Sequence, residues 1–246
     1  MDVTAIIPTR GDRLSMLHEA LKSVSRQSIR AQHTLVVVDG TEAIQRSVSE
    51  HISHFPNVSV VTTAECQGVS VARNLGAALA KTRYIAFLDD DDLWLPDHLA
   101  PFANDDFDLG LSAFWKQGQD KCVHEKTPPA VLHPRRFFVT NGGCRGSNLV
   151  VRTDLFLAQG GFDPHLKAFN DVDFAIRMSR NTAIRYRRNR KRTVVFRNHS
   201  GARLSRASMG LYEEAANRFF ERYSISMSSI ERDRFREWVA RVKQIS

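Results

Sequence analysis

Four carboxylates in a row, Asp89 to Asp92, follow directly on the apolar run Tyr84-Ile-Ala-Phe-Leu88. At an effective dielectric near 20, two carboxylates about 6 Å apart repel by roughly 3 kcal/mol, and four of them multiply the pairs. A cation would relieve this. Carboxylate oxygens are the ligands that hard Mg²⁺ and Mn²⁺ prefer, and Mg²⁺ is commonly held by one or two carboxylates together with substrate phosphates. The same run also reads as a solvated acidic turn that starts a helix, with Pro96 suited to the first turn. Taken alone, it does not separate the two readings.

The elements that must position these carboxylates are legible around them. The run from Tyr84 to Leu88 reads as a strand buried on both faces, and open α/β sheets bind ligands at the carboxyl ends of such strands. Before it, strands are expected at 3–7, 33–38 and 58–61, and helices at 13–25, 42–53 and 68–81. In the first helix Leu14, Leu17, Leu21 and Val24 recur at spacings of three and four. Strand and helix alternating at this interval indicate parallel β-α-β units, so residues 1 to about 95 form a nucleotide-binding type of half. No Gly-x-Gly-x-x-Gly follows the first strand and no Walker-type Gly-Lys-Ser/Thr occurs, which sets aside dinucleotide and P-loop chemistry.

The later chain is less regular. A helix is expected from Pro96 to about Ala103, and strands at 107–115, 121–125, 147–151, 183–186 and 193–196. Thr153 starts a short helix that ends at Gly160-Gly161, and Asn170 can cap one running from Asp171 to about Arg180. Two helices, about 207–223 and 227–243, close the chain. In the last, Phe235, Trp238, Val239 and Val242 share a face that packs on the body of the protein, with pairing of two copies as the alternative.

The 246 residues, 42% of them hydrophobic, suffice for one large core. No run of about 18 apolar residues occurs, and Met1-Asp-Val-Thr4 lacks a secretory pattern, so a cytoplasmic protein is expected. Cys66, Cys122 and Cys144 suggest neither a disulfide framework nor a zinc site. Thirty-five Lys and Arg against 27 Asp and Glu leave a net charge of +8, which favours anionic partners. The excess gathers in Arg180 to Arg192, read as a solvated strand and turn. An anionic membrane surface is the alternative partner for that tract; with one aromatic, Tyr186, it is not expected to bind nucleic acid.

The stretches Val3-Thr-Ala-Ile-Ile-Pro-Thr9, Leu35-Val-Val-Val-Asp-Gly-Thr41, Gly68-Val-Ser-Val-Ala-Arg-Asn-Leu-Gly76, Tyr84 to Pro96, and Gly160-Gly-Phe-Asp-Pro164 leading to Asn170-Asp-Val-Asp173 resemble, in this order, a family 2 glycosyltransferase of the inverting type. The resemblance covers residues 3 to about 180 and leaves the last two helices outside. It implies a GT-A fold: an α/β, Rossmann-like mixed sheet flanked by helices, with two C-terminal helices appended. It also implies a nucleotide-sugar-binding half (1–105), an acceptor-binding and catalytic half (106–205), and a helical extension (206–246).

The implied donor is a nucleotide-diphosphate sugar, usually a UDP-sugar, bound with Mn²⁺ or Mg²⁺. By the match, Pro8, Thr9, Arg10, Asp39 and Arg73 lie about the uracil and ribose. Asp39 would accept from a base N–H or ribose hydroxyl, and Arg73 would offer forked donors. Asp89 and Asp90 lie toward the nucleotide and Asp91 on the metal, with a one-residue shift to Asp90 or Asp92 left open. Asp171 matches the catalytic base. Its rival Asp173 points about 200° away on a helix and has Arg177 at ion-pair spacing. His199 matches a residue near the diphosphate or metal, while Trp94, Asn170 and Arg203 are assigned to the acceptor site or the diphosphate loop.

Two departures stand out. Asp39-Gly40-Thr41 is one carboxylate shorter than the usual Asp-Asp-Gly-Ser, and Asn170 replaces a Glu, which implies a less perturbed Asp171. The acceptor would be a saccharide, a lipid-linked intermediate, a peptide or a small natural product. Competing functions are a sugar nucleotidyltransferase, for which Pro8-Thr9-Arg10-Gly11 is a poor phosphate loop, and a non-catalytic basic module binding RNA or membrane through Arg180 to Arg192.

Overall fold

A computed structural model describes residues 1–104, 106–117, 123–197 and 209–245. Its strands are β1 (Val3–Thr9), β2 (His33–Val38), β3 (Val58–Thr62), β4 (Tyr84–Phe87), β5 (Leu93–Trp94), β6 (Leu109–Gln117), β7 (Val123–Lys126), β8 (Leu149–Arg152) and β9 (Tyr186–Phe196). The helices are α1 (Leu14–Ser25), α2 (Glu42–His51), α3 (Val69–Leu79), α4 (Thr153–Ala158), α5 (Asn170–Ser179), α6 (Met209–Tyr223) and α7 (Ser229–Ile245). Among the described residues no helix is long and apolar enough to cross a membrane.

All nine strands join one mixed sheet in the order β3-β2-β1-β4-β8-β6-β9-β5, with β7 on β6. The parallel part, β3-β2-β1-β4, brings the ends of β1, β2 and β4 to one edge. Every residue of β1 is buried because successive side chains enter opposite cores. Ile6 packs under α3 and Val3, Ala5 and Ile7 under α1. Gly76 lets α3 lie close to β1: a Cβ there would stand 2.6 Å from Ile6 Cγ2.

Three expectations are corrected. Between Pro96 and Ala103 only a single 3₁₀ turn forms, Ala100–Phe102. Its backbone is claimed from elsewhere: Ser28 N donates to Pro96 O (2.8 Å), Gln27 Nε2 to Leu95 O (2.8 Å), and Leu99 N to Gln27 Oε1 (3.2 Å). The two strands expected at 183–186 and 193–196 are one, β9, because the basic stretch between them pairs in parallel with β6 across a register shift. The strand expected at 121–125 extends to Lys126 and is described from Val123, residues 121 and 122 lying outside the described ones.

Helices α6 and α7 close over the core that contains α5, with Tyr212, Phe219, Phe235 and Trp238 around Phe169. Phe235, Trp238 and Val239 of the last helix therefore pack on the body of the protein, with Phe235 3% exposed.

Candidate active site

The acidic run leaves β4 at the edge where the parallel strands end, and its four carboxylates do not act alike. Oxygens of Asp89, Asp91 and Asp92 lie within 4.8 Å of one another. Asp90 is turned away: it accepts from Thr9 Oγ1 (2.6 Å) and from an Arg13 guanidinium nitrogen (2.8 Å). Burial pushes its carboxyl up to about 7, against the pull of Arg13 and the Thr9 hydroxyl. The carboxylates that converge are thus Asp89, Asp91 and Asp92, with Asp90 outside the group.

Each triad member has its own support. Asp89 meets the Arg73 guanidinium, which is 4% exposed and lies 5.3 Å over the Phe162 ring. Asp91 accepts from Arg13 at 3.0 Å. Asp92 is buried and accepts from Ser147 Oγ (2.7 Å) and the Arg197 amide (3.2 Å). Burial, then its neighbours Asp91 and Asp89, push its carboxyl well above the usual range. A divalent ion would offset that repulsion, and a set made only of carboxylate oxygens suits Mg²⁺ or Mn²⁺.

A loop from Gly143 to Asn148 ties this cluster to α5. Ser147 Oγ donates to Asp92 and accepts from the Asp89 amide (3.1 Å), and its carbonyl accepts from Trp94 Nε1 (2.9 Å). Gly146 lies so close to Arg73 that a Cβ would collide with its guanidinium. Cys144 Sγ stands 3.7 Å from the Asp171 carbonyl.

Asp171 and Asp173 diverge as the helical angle requires. Asp173 is 0% exposed and accepts from Arg177 Nε (2.9 Å), Arg222 (2.7 Å) and the Tyr223 hydroxyl (2.6 Å). The Asp173–Arg177 pair forms at the expected spacing and is part of a buried network, because Arg222 and Tyr223 of α6 close over it. Asp171 is partly exposed, and among the described residues its carboxylate accepts only from the Val172 amide (2.8 Å). Its pKa is raised by burial, with Arg145 and Arg73 opposing and Asp89 adding a little.

Just before it, Phe169 holds a left-handed backbone, φ +64°, which costs a bulky residue on the order of 1–3 kcal/mol. The rings of α6 and α7 clamp it there.

The other expected site residues fall as follows. Pro8 and Thr9 end β1, and Arg10 is exposed beyond it. Asp39 is buried, and its Oδ1 accepts from the amides of Gln67 (2.7 Å) and Gly68 (3.0 Å), fastening the start of α3. Trp94 is 3% exposed and stacks on His98. Asn170 opens α5 immediately before Asp171. Its side chain bridges Ser70 Oγ (2.9 Å) and the Asp171 amide (2.7 Å). His199 and Arg203 lie outside the described residues.

Sequence reading missed Arg13, Arg145, Ser147 and Arg197. Arg197 donates to the Asp91 carbonyl (2.6 Å) and reaches Glu19. A lone Arg or Ser carries no local signal; the glycines at 142, 143 and 146 were the available hint that backbone passes close to something there.

The profile of the Glycosyl transferase family 2 matches residues 4–142, more than half the chain. The chain belongs to this family. An uncharacterized glycosyltransferase of Haemophilus influenzae is 23% identical over 72% of this family 2 chain. WcaA of Escherichia coli, named provisionally as a colanic acid biosynthesis glycosyl transferase, is 26% identical over 72%. The chain spans 61% and 65% of the length of these two relatives. Among solved structures, TarS 1-349 of S. aureus in complex with UDP-GlcNAc superposes with a TM-score of 0.68 at 17% identity, covering 99% of this chain and 81% of that one. The fold is accordingly that of the GT-A glycosyltransferases.

Proposed function

We propose that the protein is an inverting glycosyltransferase that moves a sugar from a nucleotide-diphosphate sugar, a UDP-sugar by preference, to an acceptor hydroxyl or similar nucleophile. One observation carries the reading: a carboxylate with a raised pKa and a free oxygen, Asp171, lies within electrostatic reach of Asp89, a member of the oxygen-rich triad Asp89, Asp91 and Asp92. Family membership and a fold neighbour solved with UDP-GlcNAc support it.

Asp171 takes the proton of the acceptor nucleophile as that nucleophile forms its bond to the anomeric carbon, and the bond to the diphosphate oxygen breaks on the opposite face with its electron pair. The triad would hold Mg²⁺ or Mn²⁺, which supplies positive charge for the departing diphosphate. Arg73 restrains Asp89, Arg13 restrains Asp91, and Ser147 with the Arg197 amide restrains Asp92, so the oxygens are placed before substrate arrives. Residues 1–105 serve the donor and 106–205 the acceptor.

The test is a panel of nucleotide sugars with Mn²⁺ or Mg²⁺, read as released nucleoside diphosphate, which needs no acceptor because slow hydrolysis reports donor use. Release from one nucleotide sugar, lost with EDTA and restored by metal, is expected. No release and no UDP-dependent rise in melting temperature would overturn the reading, and pyrophosphate release from a nucleoside triphosphate and a sugar phosphate would replace it with nucleotidyl transfer.

A further inference from the structure

Two residues before the proposed base, the chain departs from what its local sequence favours. Phe169 is the N-cap of α5, yet a phenyl ring offers no acceptor to the open amides of the first turn, where Ser, Thr, Asp or Asn is usual. Its backbone is left-handed, φ +64° and ψ 6°, a conformation that glycine takes freely and a bulky residue resists. Among the described residues the other non-glycines with positive φ are Asn57 and Ala64, so Phe169 is the one bulky side chain held this way. Two local preferences overridden at a single position mean that tertiary contacts impose the geometry there.

Those contacts come from the two C-terminal helices. The Phe169 ring lies 5.2 Å from Tyr212 and 5.3 Å from Phe219 of α6, and 6.0 Å from Phe235 and 5.1 Å from Trp238 of α7. The residue is 7% exposed, so it presents little surface to a substrate. Its neighbour Asn170 donates to Ser70 Oγ of α3 (2.9 Å), and the first turn of α5 is thereby held both by α3 and by the α6–α7 pair. Two amides of that turn record the arrangement: Asp173 N donates to Phe169 O (2.8 Å) and Val172 N donates to Asp171 Oδ1 (2.8 Å). A return of residue 169 to an ordinary negative φ, about −63° in a helix, would redirect the chain that leads into Asp171 and turn its carboxylate with it.

We infer that Phe169 is a positioning residue for the transfer step: α6 and α7, by gripping its ring, fix the backbone that aims the Asp171 carboxylate. The inference rests on Asp171 being the base. It gives the C-terminal helices a part in turnover beyond covering the core, because a reacting group displaced by about 1 Å through a remote change can lose on the order of 10²-fold in rate. Trp238 and Phe235 reach the base only through Phe169, so their contribution is separable from that of any residue in the acidic cluster.

The experiment compares the full chain with Phe169→Gly, Phe169→Ala, Trp238→Ala and, as a control in the other core, Phe107→Ala, whose ring stacks on Tyr84. Release of nucleoside diphosphate gives kcat and KM for the donor, and amide hydrogen exchange reads Val172 and Asp173 without turnover. At a temperature where each variant is folded, kcat should fall about 10²-fold in Phe169→Ala and about 10-fold in both Phe169→Gly and Trp238→Ala, with KM within about twofold. Glycine should outperform alanine because it keeps φ +64° without the grip on the ring. Exchange at Val172 and Asp173 should quicken by about 10-fold in Trp238→Ala and stay unchanged in Phe107→Ala, which should keep its kcat. Unchanged kcat in Trp238→Ala and Phe169→Ala, an equal loss in Phe107→Ala, alanine outperforming glycine, or unchanged exchange at the two amides would each overturn the role. Trp238→Ala keeps the test decisive should a Phe169 variant fail to fold. A wild type that releases no nucleoside diphosphate from any nucleotide sugar overturns the base and this role together, whereas variants that match an active wild type overturn the role alone.

Discussion

Asp171 and Asp173 sit two residues apart on one helix and live in opposite surroundings. Asp173 is sealed under α6 by two guanidinium groups and a phenol. Asp171 keeps a single amide donor on its carboxylate and has Arg145, Arg73 and Asp89 as its charged neighbours. A carboxylate whose lone pairs are all engaged can hold a fold together and cannot receive a proton cheaply. One that is left nearly unpartnered, with its charged form disfavoured by burial, is suited to take one. The difference separates a structural acid from a reactive one more sharply than charge or position in the sequence does.

The hardest test of this contrast is Asp171→Asn. Turnover should fall by about 10²- to 10⁴-fold, with UDP affinity and melting temperature nearly unchanged. Near-normal turnover would remove the base. The mirror experiment is Asp173→Asn, which should cost about 3 kcal/mol of stability by denaturant unfolding, at the lower end for a broken buried pair because Arg222 keeps Asp163 and Arg177 keeps the Gly161 carbonyl. At a temperature where that variant is folded its turnover should be close to wild type; a loss like that of Asp171→Asn would erase the contrast.

A smaller effect is expected at the cluster. Ser147→Ala removes a hydrogen bond to the buried Asp92 carboxylate and should cost about 2 kcal/mol. It should also weaken Mn²⁺-dependent UDP binding, read by titration, while leaving the acid limb of the pH profile in place.

The finest measurement is that limb itself. A general base works when deprotonated, and burial raises the folded pKa of Asp171, so kcat/KM should be full above that raised value and fall as pH drops through it, at a pH higher than for an ordinary carboxylate. Arg145 lowers this pKa, so Arg145→Gln should move the limb to higher pH. A limb unmoved in that variant would mean that Asp171 does not set it.

Much of this was legible before any coordinates. Burial on both faces of a parallel sheet demands continuous apolar runs such as Val3 to Ile7 and Tyr84 to Leu88, and helices laid on that sheet demand apolar residues at three and four, as in α1; both are properties of neighbouring residues, so the chain states them openly. The same local geometry sets Asp171 and Asp173 on different sides of α5. Where the reading failed, a distant partner had intervened. Gln27 and Ser28 hold Leu95 to Leu99 out of a helix, and β6 draws a charged stretch into the middle of β9 although its apolar pattern is broken there.

The amino-acid order alone therefore determined the β-α-β framework, the acidic stop at the end of β4 and the family these imply. Only the folded chain decided which aspartates meet and what restrains them. Arg13 reaches Asp90 across 77 residues and Arg197 reaches Asp91 across 106, while Ser147 links Asp89 and Asp92 across more than 50. Periodicity is a short-range property of the backbone. The partner that satisfies a buried charge is chosen by sheet order and loop path, which no local pattern encodes.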